Sequence, residues 1–186
     1  MSRAVFIKGD SIDLVCLTKA DGQAVHRWSS DMEIIFNWGG QPFPADLKAV
    51  EDRLESQHSR RNCLMLGLQL SQSDTLIGMG GLSQIEWPWR RAELTMCIGS
   101  KDQQGKGCGR EATTLILDHA FAKLNLHSVM LRVTSYNERG IRCYEACGFK
   151  QAGRRRESRI DGEKFYDVLF MDILADEFRS KKSPAE

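Results

Sequence analysis

Apolar and polar positions alternate from Val5 to Ile7 and from Ile12 to Leu17, which predicts two strands joined across Gly9-Asp10. Helical spacing takes over from Asp21 to Trp28 and from Met32 to Trp38, the second stretch opening at a cap provided by Ser30 or Asp31. Gly39-Gly40-Gln41-Pro42-Phe43-Pro44 interrupts the pattern. Asp46 then caps a helix predicted to reach Ser59, with Leu47, Val50 and Leu54 on one face. Cys63 to Leu70 and Leu76 to Gln84 read as adjacent strands joined across Ser71-Gln72-Ser73-Asp74, and Ala92 to Ile98 as a third beyond the turn Glu86-Trp87-Pro88-Trp89. A helix follows the glycine-rich segment ending at Gly109, and Val129, Leu131 and Val133 alternate as in a half-buried strand. Asn137 caps a short helix closed by Gly148. Last, Glu157 to Ile160 and Glu163 to Ile173 flank Asp161-Gly162, a hairpin signal. The reading is a single α/β (α+β) domain over residues 1–178, with a polar, frayed tail over 179–186.

A chain of 186 residues, 41% hydrophobic, is large enough for one core and requires no second domain. The formal net charge of +1 argues against a broad nucleic-acid surface, and Arg154-Arg155-Arg156 reads as a solvated strand. No apolar run approaches the ~20 residues of a membrane span, and Met1 to Asp10 lacks the apolar core of a signal peptide. The expectation is a cytoplasmic protein with no membrane or nucleic-acid partner. Six cysteines, at 16, 63, 97, 108, 143 and 147, form no Cys-x-x-Cys pair and no zinc-type spacing with histidine, so reduced core thiols and no metal are expected.

The most informative segment is Gln104-Gly105-Lys106-Gly107-Cys108-Gly109, which feeds straight into Arg110-Glu111-Ala112-Thr113. Glycines admit positive φ and close approach, and the first turn of a helix leaves N–H groups unpaired at the positive end of its dipole. Such a loop suits a phosphate or pyrophosphate, though it also serves as a simple tight turn. It is no P-loop, because Lys106 lies inside the glycine cluster and Cys108 follows Gly107. Nor does it carry the Gly-x-Gly-x-x-Gly dinucleotide fingerprint. The spacing from Gln104 to Gly109 is Gln-x-x-Gly-x-Gly, and about 35 residues later comes Asn137-Glu138-Arg139-Gly140-Ile141-Arg142-Cys143-Tyr144-Glu145-Ala146-Cys147-Gly148-Phe149.

Both motifs, in this order, resemble those of the GNAT superfamily of N-acetyltransferases. The resemblance covers most of the chain and is strongest from about Arg90 to Ile173. Arg90-Arg91-Ala92-Glu93-Leu94, Leu124-Asn125-Leu126-His127 and Asp161-Gly162-Glu163-Lys164-Phe165-Tyr166-Asp167 are most similar to the branch of spermidine and ribosomal-protein (RimJ/RimL-like) acetyltransferases, except that Ser100-Lys101-Asp102-Gln103 is a residue longer than in the spermidine enzymes. The resemblance implies a mixed, mostly antiparallel sheet flanked by helices, with a central strand pair splayed at a β-bulge. It also implies acetyl-CoA as cosubstrate, bound by Met96, Cys97, Ile98, Gln104, Gly105, Lys106, Gly107, Cys108, Gly109, Arg110, Asn137 and Tyr144.

Acetyl transfer to an amine needs a deprotonated amine, donors for the oxyanion and a proton for the leaving thiolate. By resemblance a backbone N–H near Met96 or Cys97 serves the oxygen and Tyr144 protonates the sulfur; otherwise Tyr144 packs in the core. Glu93 is the candidate base, or else a surface ion pair with Arg90 or Arg91. Asn137 serves as helix cap, coenzyme contact or both. Direct attack requires no acyl-enzyme, so Cys108 and Cys147 are not nucleophiles. Asp31, Glu33, Trp38, Glu86 and Trp87 come from segments flanking the acceptor, with Glu33, Trp38, Trp87 and Glu93 as the candidate substrate contacts. A polyamine such as spermidine, a protein N-terminal or lysine amine, and an aminoglycoside all stay open as acceptors, as does assembly of several copies of the chain. The rival of another class is a non-catalytic acyl-CoA-binding module.

Overall fold

A computed structural model describes residues 3–39, 43 and 46–182, without the side chains of His58 and Lys182. Its strands are β1 (Val5–Ile7), β2 (Ile12–Cys16), β3 (Leu64–Leu70), β4 (Leu76–Glu86), β5 (Arg91–Ile98), β6 (Ser128–Thr134), β7 (Lys150–Asp161) and β8 (Lys164–Leu174). The helices are α1 (Gly22–Ser30), α2 (Met32–Trp38), α3 (Leu47–Ser56), α4 (Cys108–Asp118), α5 (Glu138–Cys147) and α6 (Ala175–Lys182). The strands form one sheet in the order β1-β2-β3-β4-β5-β6-β8-β7. Every neighbouring pair is antiparallel except β5 and β6, which run parallel through α4.

Because side chains alternate along a strand, β5 feeds two separate cores. Ala92 and Leu94 enter the larger one, which holds Leu14, Leu68, Ile116, Leu117, Leu131 and Met171 and lies beneath α4. Cys97 enters the smaller one, with Leu17, Val25, Trp28, Val50 and Leu54 of the α1–α3 side. The start of α4 is fixed to the opposite end of the sheet by Glu111. Its Oε1 accepts from the N–H groups of Asp10, Ser11 and Ile12 at 2.7, 2.9 and 3.3 Å.

The caps follow local chemistry. Asp31, rather than Ser30, caps α2 by accepting from Glu33 and Ile34 N–H, and Asp46 caps α3 through Ala49 N–H. The α3 stretch predicted to reach Ser59 ends at Ser56 and continues as a 3₁₀ turn. Two differences from expectation are larger. The strand expected over Glu157 to Ile160 begins at Lys150: β7 is an exposed edge strand, so arginine and glutamine hide its alternation, and a register shift lies between Arg155 and Arg159. The tail expected to fray from residue 179 is helical to Lys182. Phe178 is buried against Phe121 at 5.5 Å between ring centroids, and Glu177 accepts from Leu174 N–H at the helix start. No helix among the described residues is long and apolar enough to cross a membrane.

Candidate active site

The site begins at a fork between the two parallel strands. β5 and β6 pair at Arg91↔Ser128, Ala92↔Val129 and Glu93↔Met130 and nowhere beyond. Each strand keeps its outer neighbour: β5 stays paired with β4 to Ile98, and β6 with β8 to Thr134. The inner edge of Leu94 to Ile98 therefore presents backbone groups with no strand partner, a template for an extended ligand that adds like a strand. The bulge lies one strand over from where the resemblance placed it. The register breaks on β4 between Ser83 and Glu86, where Gln84 takes φ +49°, while β5 remains regular.

On one side of the fork lies a cleft of about 340 Å³ lined by Met96, Cys97, Ile98, Gln104, Gly105, Gly107, Gly109, Arg110, Asn137 and Tyr144. Lys106 and Cys108 are absent from that lining, and the Cys108 side chain is buried in the larger core. Gly107 is the N-cap of α4 at φ +90°, Gly105 has φ +78°, and a methyl group built at either would meet nothing within 4 Å. The loop thus offers open space before unpaired helix N–H groups. Gln104 braces it: Nε2 donates to Ile98 O at 2.8 Å, and Oε1 accepts from Arg139 Nη2 at 2.6 Å. Arg139 and Arg142 join Arg110 in the lining. This combination of strand edge, helix start and three guanidinium groups fits the pantetheine arm and phosphates of a coenzyme A thioester.

Across the fork lies a second cleft, of about 570 Å³, whose lining includes Arg53, Glu93, Thr95, Arg132, Arg155, Ser158 and Arg159. The two clefts share Asn37, Trp38, Met96, Asn137 and Tyr144. Tyr144 stands edge-on to Phe149, with centroids 5.9 Å apart, and its hydroxyl has no hydrogen-bond partner among the described residues. Burial pushes that hydroxyl well above the ordinary tyrosine range, with the Cys143, Cys147 and Cys97 thiols adding to the shift. Asn137 makes the expected helix cap and also lies where the two clefts meet. Oδ1 accepts from Gly140 N–H at 2.9 Å to cap α5, Nδ2 donates to Asn37 O at 3.3 Å, and the residue lines both clefts.

Glu93 faces the second cleft with its side chain 13% exposed. Oε1 accepts from Arg132 Nε at 2.7 Å and Oε2 from Gln84 Nε2 at 3.0 Å. The ion pair expected with Arg90 or Arg91 is thus made by Arg132 instead. Arg91 is drawn to its cross-strand neighbour Glu86, and Arg90 bonds the backbone and side-chain oxygens of Asn125. Trp38 reaches both clefts, but Glu33 and Trp87 reach neither. Glu33 lies exposed on α2, where it shares Lys101 Nζ with Asp31, each at 2.8 Å. Trp87 sits in the β4–β5 turn and donates from Nε1 to Arg61 O at 3.0 Å.

The cysteines are all unpaired thiols, of which Cys97, Cys108 and Cys147 are buried and Cys16 is exposed. Cys97 is pushed up to about 12 by burial. Cys147 is drawn below the ordinary thiol range, first by its hydrogen bond from Cys143 and then by Thr114, Arg110 and Lys181, yet it lines neither cleft. Among the described residues no three His, Cys, Asp or Glu side chains gather as a metal site would require. Sequence reasoning missed Asn37, Arg53, Arg139, Arg142, Arg155 and Arg159 as cleft residues: Asn37, Arg53, Arg155 and Arg159 lie outside any motif, while Arg139 and Arg142 stand inside the Asn137 to Phe149 motif, which could have flagged them.

Comparison with known proteins agrees with this geometry. The family model of the acetyltransferase (GNAT) domain matches residues 12–150. A protein described as the uncharacterized N-acetyltransferase p20 of Bacillus licheniformis is 25% identical over 166 residues, covering 85% of this chain and 89% of its own length. The aminoglycoside N(6')-acetyltransferase type 1 of Klebsiella pneumoniae is 24% identical over 153 residues, covering 77% of this chain and 76% of its own length. Among solved structures, the spermidine N-acetyltransferase of Vibrio cholerae in complex with CoA and spermine superposes with a TM-score of 0.84 at 26% identity, over 92% of this chain and 99% of that one. The forked sheet, the glycine-rich anion loop and the family match together establish that this chain belongs to the GNAT acetyltransferase family, an N-acetyltransferase whose cosubstrate is acetyl-CoA.

Proposed function

We propose that the protein transfers an acetyl group from acetyl-CoA to a primary amine by direct attack across the β5–β6 fork. The observation that carries this reading is the shared wall: Met96, Asn137 and Tyr144 border both clefts, so a thioester in one and an amine in the other would meet there. Acetyl-CoA supplies the activated acyl group. The chain supplies position and protons.

Gly105, Gly107, Gly109 and Arg110 hold the phosphates, with Arg139 and Arg142 beside them, and the free edge of Met96 to Ile98 holds the pantetheine arm. A backbone N–H near Met96 or Cys97 donates to the thioester oxygen. Tyr144 keeps its proton through the neutral range, because burial raises its hydroxyl above the ordinary value of ~10. Complete transfer to a thiolate of ordinary pKa ~8.5 is uphill by about 2 kcal/mol even from an unshifted tyrosine. Tyr144 therefore acts as a hydrogen-bond donor that releases its proton only as the C–S bond breaks. Glu93 takes the proton of the incoming amine, directly or through a water, while Arg132 and Gln84 hold the carboxylate at the cleft wall.

The reading of a binding module without turnover is disfavoured by the second cleft, which acyl-CoA binding alone would not require. Release of free thiol from acetyl-CoA tests the proposal, measured against amines that include a polyamine, an aminoglycoside and a peptide with a free N-terminus. Amine-dependent release is expected, together with its loss in Tyr144→Phe. Tight acetyl-CoA binding with no amine-dependent release from any of them would favour the module.

A further inference from the structure

We propose that the acceptor is an anionic amine: a primary amine whose own carboxylate or phosphate oxygens are seated by Arg53, Arg155 and Arg159 in the second cleft. This rests on the acetyl-transfer reading and names its substrate class. The lining of that cleft carries four guanidinium groups and one carboxylate. The carboxylate, Glu93, is engaged by Arg132, and the other three lining arginines form no ion pair among the described residues. Arg159 donates from Nη2 to Gly39 O at 2.6 Å, which fixes its direction without neutralising it. Arg53 and Arg155 have no side-chain hydrogen bond or ion pair among the described residues.

One acidic group beside the cleft is committed elsewhere. Asp167, which precedes the lining residue Val168, accepts from Glu157 N–H and pairs with Arg154, the neighbour of Arg155 on the strand. Residues 40–42, 44 and 45 lie outside the described residues, but as Gly, Gln, Pro, Pro and Ala they can bring no charge. The free arginines are also distinct from those of the coenzyme cleft, where Arg110, Arg139 and Arg142 stand on the other side of the fork. Coenzyme phosphates therefore do not account for them.

Two elements, α3 and β7, converge to place these cations, and the register shift of β7 between Arg155 and Arg159 lets a polar edge strand contribute two of them. Like charges repel in a partly enclosed cleft and opposite charges steer. A polycation would enter against this field. A zwitterionic or acidic amine would enter with it, its ammonium toward Glu93 at the fork and its oxyanion toward the arginines.

The test uses the full chain at saturating acetyl-CoA and low salt, with matched acceptors: glutamate against glutamine, an acidic peptide with a free N-terminus against its amide-substituted counterpart, phosphoethanolamine against ethanolamine, and spermidine. The charged member of at least one pair should exceed both its neutral partner and spermidine by about tenfold or more in kcat/KM, chiefly through KM, with the advantage shrinking as salt rises. Which pair shows the advantage distinguishes carboxylate from phosphate. Arg155→Glu should erase the advantage while leaving the KM for acetyl-CoA unchanged. Arg53→Gln, a milder change on a different element, should reduce it and covers the case in which Arg155→Glu does not fold.

Turnover of spermidine or of neutral amines at or above the rate of the anionic ones would overturn the substrate class and leave acetyl transfer standing. Bound acetyl-CoA with no turnover of any acceptor would overturn both. An unchanged preference in folded Arg155→Glu and Arg53→Gln would remove these arginines from the acceptor site.

Discussion

The two clefts that meet at the fork are built from different material. The cleft proposed for the coenzyme relies on backbone, a strand edge freed after Glu93, two glycines at positive φ and the start of α4, with Arg110, Arg139 and Arg142 beside it. The cleft proposed for the acceptor is made of side chains, with Arg53 from α3, Arg132 from β6, Arg155 and Arg159 from β7, and Glu93 from β5. Backbone recognition constrains few residue identities, because N–H groups come with any sequence that folds this way and only the positions needing positive φ or close approach are restricted. A cleft walled by side chains is set by every residue in it. One substitution can reverse its charge without disturbing the sheet. This division suits a fixed cosubstrate on one side and a selected acceptor on the other.

Tyr144 belongs to both clefts, so it is the residue whose loss should be felt most. Tyr144→Phe removes only a hydroxyl and is expected to lower kcat by about 10²- to 10⁴-fold, the range of general acid catalysis, with acetyl-CoA affinity nearly unchanged. The sign of its pKa shift gives a second readout. A raised pKa keeps the acid protonated until pH climbs past the raised value, so wild-type kcat should show no alkaline fall below about pH 10. Steady-state kinetics across pH, with coenzyme affinity by calorimetry, checks both outcomes. Unchanged turnover would return Tyr144 to a packing role.

Next comes the backbone-made side. Gly107→Val places a branched side chain at φ +90° in the open space before α4, and should weaken acetyl-CoA binding by about tenfold to a hundredfold in a chain that still folds. Gly107→Ala, strained but less bulky, should fall between the two. Calorimetry giving wild-type affinity for the folded valine variant would show that the phosphates lie elsewhere.

The same division explains what could be read from the sequence. Backbone-made features leave local marks: Gln104 to Gly109 announces a loop and helix start within six residues, and Asn137 and Gly148 bracket α5. The acceptor cleft leaves none, because its arginines are scattered along the chain from Arg53 to Arg159 and meet only through sheet order and the β7 register shift. Arg155 shows the difficulty. Inside Arg154-Arg155-Arg156 it reads as one of three solvated charges, yet strand geometry gives Arg154 to Asp167 and leaves Arg155 to the cleft. Glu93 was legible as a site residue, but its partner was not, since parallel pairing brings Arg132 to it from 39 positions away. The early start of β7 and the α6 helix were hidden for the same reason: an exposed edge strand and a short polar helix carry little hydrophobic periodicity.

Glu93→Gln probes the acceptor side more gently. If the carboxylate takes the amine's proton, kcat/KM should fall by about tenfold near neutral pH, where nearly all primary amine is protonated, and should approach wild type as pH nears ~10 and free amine becomes abundant. Loss of the negative charge also releases Arg132, which would join the other free arginines in the cleft. For an anionic acceptor this second effect lowers KM, so the variant should show a depressed kcat and an unchanged or lower KM. A deficit that is uniform in pH and confined to KM would make Glu93 a seat for a cationic group, and would count against an anionic acceptor as well.

The smallest effect is expected where the sequence nominated a contact that the fold places elsewhere. Glu33→Gln removes one of two carboxylates that share Lys101 on the exposed surface of α2. Asp31 remains, both as the cap of α2 and as a partner of Lys101, whose hydrogen bond keeps the Asp31 carboxyl below the ordinary carboxylate range. Exposed ion pairs of this kind contribute little, and Glu33 lines neither cleft, so kcat/KM for any acceptor should change by less than about twofold. The measurement is worth making with a polycationic acceptor as well as an anionic one. A loss confined to the polycation would mean that positive charge is gathered along the outer face of α2, outside the fork, and the acceptor path would then have to extend from that face past Trp38. No loss with either would confine acceptor selection to the arginine-lined cleft.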